Sequence, residues 1–135
     1  MISTALARRL RELGLEWHPV SGDAFCIDRD EFESEVFTVS DMTVEAHVFD
    51  TGTILGFNGT TEWALDSVAL EDALWLPREA QLRSLLGGTF QSLERHGEGY
   101  RLHAVIGGES RDFDTAEATD AYAEALCALL QEARD

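Results

Sequence analysis

The sequence predicts an α+β fold built on a mostly antiparallel sheet, with an N-terminal helix, short middle helices and a C-terminal helix that packs on the core. Apolar residues recur at helical spacing near both ends of the chain. Short alternating segments bounded by turn residues fill two regions between those ends. Runs of strands separated by runs of helix favour an antiparallel sheet over a βαβ arrangement. At 135 residues the chain is expected to form a single domain, 1–135.

An amphipathic helix is predicted at the N-terminus. The apolar residues at positions 2, 6, 10 and 13 share one helical face, and arginines and a glutamate occupy the other. Gly14 supplies the left-handed conformation that ends many helices. Because a residue that precedes a proline avoids the helical region, the chain before Pro19 is expected to be extended.

Residues 24–57 are predicted to form an antiparallel meander. Apolar and β-branched residues cluster in four short segments, around Phe25–Ile27, Val36–Val39, Val44–Phe49 and Ile54–Phe57. The segment Asp50-Thr51-Gly52 is a hairpin turn signal. Asn58-Gly59 is a further turn signal, and a threonine at 60 or 61 is placed to cap a short helix that continues through Val68.

The second half of the chain predicts a helix, three strands and a final helix. Pro77 suits the first turn of the middle helix, and Gly87-Gly88 ends it. Strands are expected at 90–95, 100–106 and 109–113, with glycine-rich turns between them. The last helix is expected to begin at Asp114 or Thr115, with Glu117 completing a cap. Its core face is predicted to contain Tyr122, Leu126, Leu129, Leu130 and Ala133.

The charge balance excludes several classes of function. The chain has 26 acidic and 10 basic residues, all ten of them arginine, and a formal net charge of −16. Such a surface repels phosphate backbones and anionic lipids, so neither nucleic acid nor membrane is expected as a partner. Because the sequence has no lysine, it offers no phosphate-loop lysine, no Schiff base and no lysine general base.

The cysteines and the N-terminus favour a cytoplasmic protein. Cys26 and Cys127 have neither metal-ligand spacing nor a CxxC arrangement, which suits reduced thiols. The N-terminal segment lacks the apolar core of a signal peptide, and no apolar stretch approaches the roughly 20 residues of a membrane span. No cofactor, no metal and no catalytic residue is expected.

The favoured hypothesis is a non-enzymatic interaction or regulatory module that binds a protein partner with a basic surface. Its motivation is the dense run of carboxylates after residue 27 and the failure of every catalytic motif. The run also resembles the start of a calcium loop, but the glycine of the sixth loop position is replaced by Glu33. The candidate partner surface consists of Asp28, Asp30, Glu31, Glu33 and Glu35.

The alternative hypothesis is a small-molecule-binding protein or an enzyme with a pocket in the segment FNGTTEWALDS. A tight turn, hydroxyls, an aromatic ring and carboxylates come together there. Trp75 is a candidate for the same pocket, and the pair Glu45 and His47 on one strand face offers acid–base chemistry. A turn followed by a capped helix needs the same residue types, and that simpler interpretation stays open. The candidate binding residues are Asn58, Thr60, Glu62, Trp63 and Asp66.

Three segments carry a resemblance to a known family. In order, EVFTVSDMTVE, GFNGTTEWALDSV and LWLPREAQLRSLL are similar to a family of small bacterial proteins found in actinobacteria and bacilli. Members are often labelled as pilus-assembly proteins, a name whose other bearers are larger and contain an ATPase domain with a phosphate loop. The resemblance spans most of the chain and implies no activity, substrate or catalytic residue. The segment from Leu76-Pro77 to Gly87-Gly88 is also similar to a motif of immunity proteins.

Overall fold

The computed structural model describes residues 1–29, 35–39, 44–49, 52–57 and 67–135, and of residues 44–49, 52–57 and 67–70 it describes the backbone alone. These ranges contain three α-helices, nine strands and two short 3-10 turns. The helices are α1 Thr4–Glu12, α2 Glu79–Leu86 and α3 Ala118–Arg134. The strands are β1 Ala24–Ile27, β2 Phe37–Thr38, β3 Val44–Phe49, β4 Gly52–Phe57, β5 Ser67–Ala69, β6 Ala73–Trp75, β7 Phe90–His96, β8 Gly99–Ile106 and β9 Glu109–Thr115.

The chain divides into two compact units. The terminal unit combines Met1–Glu16 with Pro77–Asp135, and the central unit is Trp17–Leu76. The N-terminal helix therefore belongs with the C-terminal half of the chain. The single domain expected over 1–135 stays a prediction, because the compactness of each unit does not decide whether the two fold together.

The terminal unit has helices on one face of an antiparallel sheet in the order β7-β8-β9. Alternate residues of β8, Leu102, Ala104 and Ile106, are buried, as expected of a strand with one face on the core. Helix α3 packs on β8 and β9 and also contacts α1 and α2. Its residues Tyr122 and Leu126 are buried, so the C-terminal helix packs on the core as predicted.

Helices α1 and α3 run in the same direction. The backbone N–H of Ser3, the N-cap of α1, donates to Asp120 Oδ1 at 2.9 Å in the first turn of α3. At the other end, Arg134 Nη1 donates to the Glu12 carbonyl oxygen at 3.2 Å. Both contacts place charges of the appropriate sign at helix ends. Hydrogen bonds thus link the two helices near both of their ends, which fixes the position of α1 relative to α3.

A two-residue turn sets the register of β8 and β9. Gly107 and Gly108 both have positive φ, 59° and 81°, as a type I′ hairpin turn requires. The turn pairs residues symmetrically about its centre, so His103 lies opposite Asp112 and Arg101 opposite Asp114. This pairing decides which charged side chains meet on the sheet.

The central unit contains two three-stranded antiparallel sheets, in the orders β2-β1-β6 and β3-β4-β5. All four residues of β1 are buried, and Phe25 packs with Val39 and Ala73 in a core cluster that Trp17 and Phe37 adjoin. Among the described residues of this unit, Asp23 is a charged side chain in the interior, with 1% of its surface exposed. Its Oδ2 accepts hydrogen bonds from Trp17 Nε1 at 2.9 Å and from the Val20 backbone at 3.1 Å.

Two expectations about the central unit are wrong. The strands after residue 24 do not form one meander, because β1 pairs with β2 and β6 while β3 and β4 form a separate sheet with β5. The helix expected to continue through Val68 does not do so, since Val68 lies in β5 opposite Leu55. Pairing with β4 provides ladder hydrogen bonds that override the local capping pattern.

Two details of the terminal unit also differ from expectation. Pro77 lies before α2, whose N-cap is Arg78. Helix α3 starts at Ala118 rather than at Asp114 or Thr115, because β9 continues to Thr115 in register with β8. Glu117 is its N-cap residue but makes no side-chain capping bond. Ala133 is exposed and does not belong to the core face.

Candidate functional site

The predicted partner surface is described only at its two ends. Asp28 is partly buried, and its backbone N–H donates to the Asp72 carbonyl oxygen at 2.8 Å, while Glu35 is exposed. Asp30, Glu31 and Glu33 lie outside the described residues. The two ends therefore bracket a segment whose surface role stays a prediction.

The predicted pocket lies largely outside the described residues. This applies to Asn58, Thr60, Glu62, Trp63 and Asp66. The side chains of Glu45 and His47 in β3 are likewise not described, so their acid–base pairing stays a prediction. Trp75 is described and lies parallel to Trp17, with 6.4 Å between ring centroids and 7° between ring planes. Its Nε1 is buried and has no acceptor among the described residues.

The two units differ strongly in charge. The central unit, residues 17–76, contains 13 of the 26 acidic residues and one arginine, Arg29, for a formal net charge of −12. The terminal unit contains the other 13 acidic residues and nine arginines, for a net charge of −4. Three quarters of the net charge is therefore concentrated in fewer than half of the residues.

The terminal unit carries an ordered group of charges on the sheet face opposite its helices. We call it the sheet-face cluster: Glu94, His96, Arg101, His103, Asp112 and Asp114. Arg101 and His103 alternate with the buried residues of β8, and their neighbours in the cluster on β7 and β9 lie on the same outer face. Each strand contributes two members, and the central strand contributes Arg101 and His103.

His103 bridges the two outer strands. Its Nδ1 lies 2.5 Å from Asp112 Oδ1 on β9, and its Nε2 lies 3.0 Å from Glu94 Oε1 on β7. The hydrogen bonds to Glu94 and to Asp112 raise the pKa of His103 above its ordinary value. With a carboxylate at each ring nitrogen the imidazolium form donates two hydrogen bonds, and it has no free lone pair to accept a proton. The arrangement favours a role for His103 in linking the strands electrostatically over a role as a general base.

Arg101 forms the second tie of the cluster. Its Nε and Nη2 donate to Asp114 Oδ1 and Oδ2 at 2.7 and 2.9 Å, a bidentate pair. The guanidinium also lies 3.0 Å from His96 Nε2, and its hydrogen bonds lower the pKa of Asp114. These charges neutralise one another within the unit. Across the described ranges no three His, Cys, Asp or Glu side chains are placed to share a metal ion.

Sequence reasoning missed this cluster, although a signal for it exists. The two-residue turn at Gly107-Gly108 requires paired positions to be equidistant from its centre, which places His103 opposite Asp112. The turn after His96 similarly places Ser92 opposite His103 and therefore Glu94 diagonal to it. The sequence pattern gives the pairing of these residues but not the distances and hydrogen bonds between their side chains.

Comparison with known proteins adds no relative. No protein-family model, curated protein or solved structure matches the chain. The resemblance to small proteins of actinobacteria and bacilli therefore stays a prediction. In the parts of the chain that the structure describes, no helix combines the length and the apolar character needed to cross a bilayer.

Proposed function

We propose that the chain is a non-enzymatic cytoplasmic interaction module that binds a protein partner with a basic surface through its central unit. The observation that carries this proposal is the segregation of charge: residues 17–76 have a net charge of −12 and a single arginine. Like charges confined to a small unit repel one another and cost folding free energy. A partner that brings cations to this surface relieves that repulsion.

The terminal unit supports the proposal because its charges are closer to balance than those of the central unit. Part of its arginine and histidine charge is paired internally, as in the Arg101 pair with Asp114 and the His103 bridge between Glu94 and Asp112. Paired charges of this kind are already satisfied and offer little long-range attraction to a partner. The central unit has one cation for 13 carboxylates, so most of its negative charge remains available to a partner.

The expected partner is a protein surface rich in lysine and arginine. Complementary charge accelerates diffusional encounter and selects against acidic competitors. Its effect is screened by salt, because the Debye length falls from about 10 Å at 0.1 M to about 3 Å at 1 M ionic strength. Binding is therefore expected to be fast at low salt and much weaker at high salt.

The test is affinity capture of the tagged chain from lysate of its own host, with mass spectrometry of the retained proteins. Capture is compared at about 0.05 M salt, where electrostatic attraction is weakly screened, and at about 1 M salt, where it is strongly screened. The central-unit variant changes Asp30, Glu31, Glu33 and Glu35 to the corresponding amides. Asp28 is left unchanged because it already makes contacts inside the unit.

A matched variant of the terminal unit controls for net charge. It replaces four exposed carboxylates of that unit by amides, at Glu12, Glu98, Glu109 and Glu117. We expect one stoichiometric partner with a basic surface to be retained by the wild type and by the control variant, and lost from the central-unit variant and at high salt. Equal retention by both variants at low salt would show that the acidic segment is not the interface.

A further inference from the structure

A groove in the terminal unit, distinct from the proposed partner surface, has the composition of a ligand site. It has a volume of about 550 Å³, which is within the range of pockets that hold small molecules. Helix α1 forms one wall, β9 the other, and α3 the floor. The α1–α3 groove is lined by Leu6, Arg9, Arg111, Phe113, Glu124, Cys127, Ala128, Gln131, Glu132 and Asp135.

Two guanidinium groups face this groove without a carboxylate partner in the described residues. Arg9 lies beside the Cys127 thiol, and Arg111 stacks over the Phe113 ring at 5.4 Å from its centroid. Glu124 also lines the groove, and burial together with the neighbouring Asp120 raises its pKa. Both cations are therefore available to a ligand.

The groove also provides an apolar surface beside these cations. Leu6, Phe113 and Ala128 are each partly buried and face the same space. Cys127 is 95% buried, and burial raises the pKa of its thiol despite the neighbouring Arg9. A protonated thiol is a weak nucleophile, so it contributes to the apolar floor rather than to covalent chemistry.

We propose that the α1–α3 groove binds a small amphipathic monoanion, a carboxylate with an apolar body. Guanidinium groups match a carboxylate with bidentate, charge-assisted hydrogen bonds, and Leu6, Phe113 and Ala128 accept the apolar part. Three carboxylates, Glu124, Glu132 and Asp135, also line the groove. They oppose a second negative charge on the ligand, which favours a carboxylate over a phosphate dianion.

The overall charge of the protein makes a stringent test possible. With a net charge of −16, long-range electrostatics attract a cationic amphiphile and repel an anionic one. Octanoate and octylammonium carry similar apolar chains and opposite charges, and octyl phosphate carries more negative charge. Each is titrated into the full-length protein while the backbone amide resonances of Leu6, Phe113 and Ala128 are followed by NMR.

We expect octanoate to shift these resonances and to bind at least about tenfold more tightly than octylammonium or octyl phosphate. The double substitution Arg9→Gln and Arg111→Gln is expected to abolish that preference. A control that removes the same charge, Arg29→Gln with Arg95→Gln, alters two exposed arginines outside the groove and is expected to retain it.

Three results would overturn the proposal. They are tighter binding of octylammonium at these amides, tighter binding of octyl phosphate than of octanoate, and a carboxylate preference that survives the groove substitutions. Circular dichroism of each variant establishes that the fold is intact before the comparison is made. Because the groove lies within the terminal unit, a negative result for ligand binding would leave the proposed partner surface of the central unit unaffected.

Discussion

At the scale of single residues, His103 links the charge state of the protein to its fold. Hydrogen bonds to Glu94 and to Asp112 raise its pKa. A folded-state pKa above the ordinary value of about 6.5 means that the interaction stabilises the fold fully below that pH. The contribution is lost as the pH rises through the folded-state pKa.

We therefore predict that the His103 ring titrates above the ordinary value in an NMR titration of its Cε1 proton. Replacing Glu94 or Asp112 by its amide is expected to lower the pKa of His103, because each change removes an accepting carboxylate. The destabilisation caused by Glu94→Gln is expected to shrink as the pH rises above the wild-type pKa. A wild-type ring that titrates at or below about 6.5 would contradict the described contacts.

A second residue-scale prediction concerns Asp23. Its side chain is 1% exposed and accepts hydrogen bonds from the Trp17 indole and the Val20 backbone. Asp23→Ala leaves both donors without this acceptor and is expected to cost about 2–4 kcal/mol of unfolding free energy in urea denaturation. Asp23→Asn keeps one carbonyl oxygen and is expected to cost less. Equal stability of the alanine variant and the wild type would exclude this role.

At the scale of secondary-structure elements, α3 organises the terminal unit. Leu126 is 2% exposed between the sheet and the other helices, so Leu126→Ala is expected to reduce the unfolding free energy by about 2–5 kcal/mol. Ala133 lies on the same helix but is exposed, and Ala133→Gln is expected to change the stability by less than about 0.5 kcal/mol. Similar effects at the two positions would contradict the observed core face.

The elements that sequence reasoning identified are those with a strong local pattern. In strand β8 the apolar residues Tyr100, Leu102, Ala104 and Ile106 recur at every second position. Gly14 follows the C-cap of α1 and has the positive φ expected there. Strands β5 and β6 have three residues each, too few for a periodic signal. Trp75 in β6 pairs with Phe25 in β1, a contact between distant positions that no local window contains.

At the scale of the whole molecule, charge segregation was only partly visible in the sequence. The acidic run after residue 27 can be read directly, but the grouping of Met1–Glu16 with the C-terminal half cannot. That grouping brings Arg8, Arg9 and Arg11 to the terminal unit and leaves Arg29 alone in the central one. The α1–α3 groove depends on the same long-range grouping and had no local signal.

The central claim is that the acidic central unit binds a basic partner through complementary charge. The most direct measurement is the association rate constant between the purified chain and its captured partner as a function of salt. We predict that this rate constant falls at least about tenfold between about 0.05 M and about 0.5 M salt while the dissociation rate constant changes little. A salt-independent association rate constant, or the same salt dependence in the variant neutralised at Asp30, Glu31, Glu33 and Glu35, would contradict the claim.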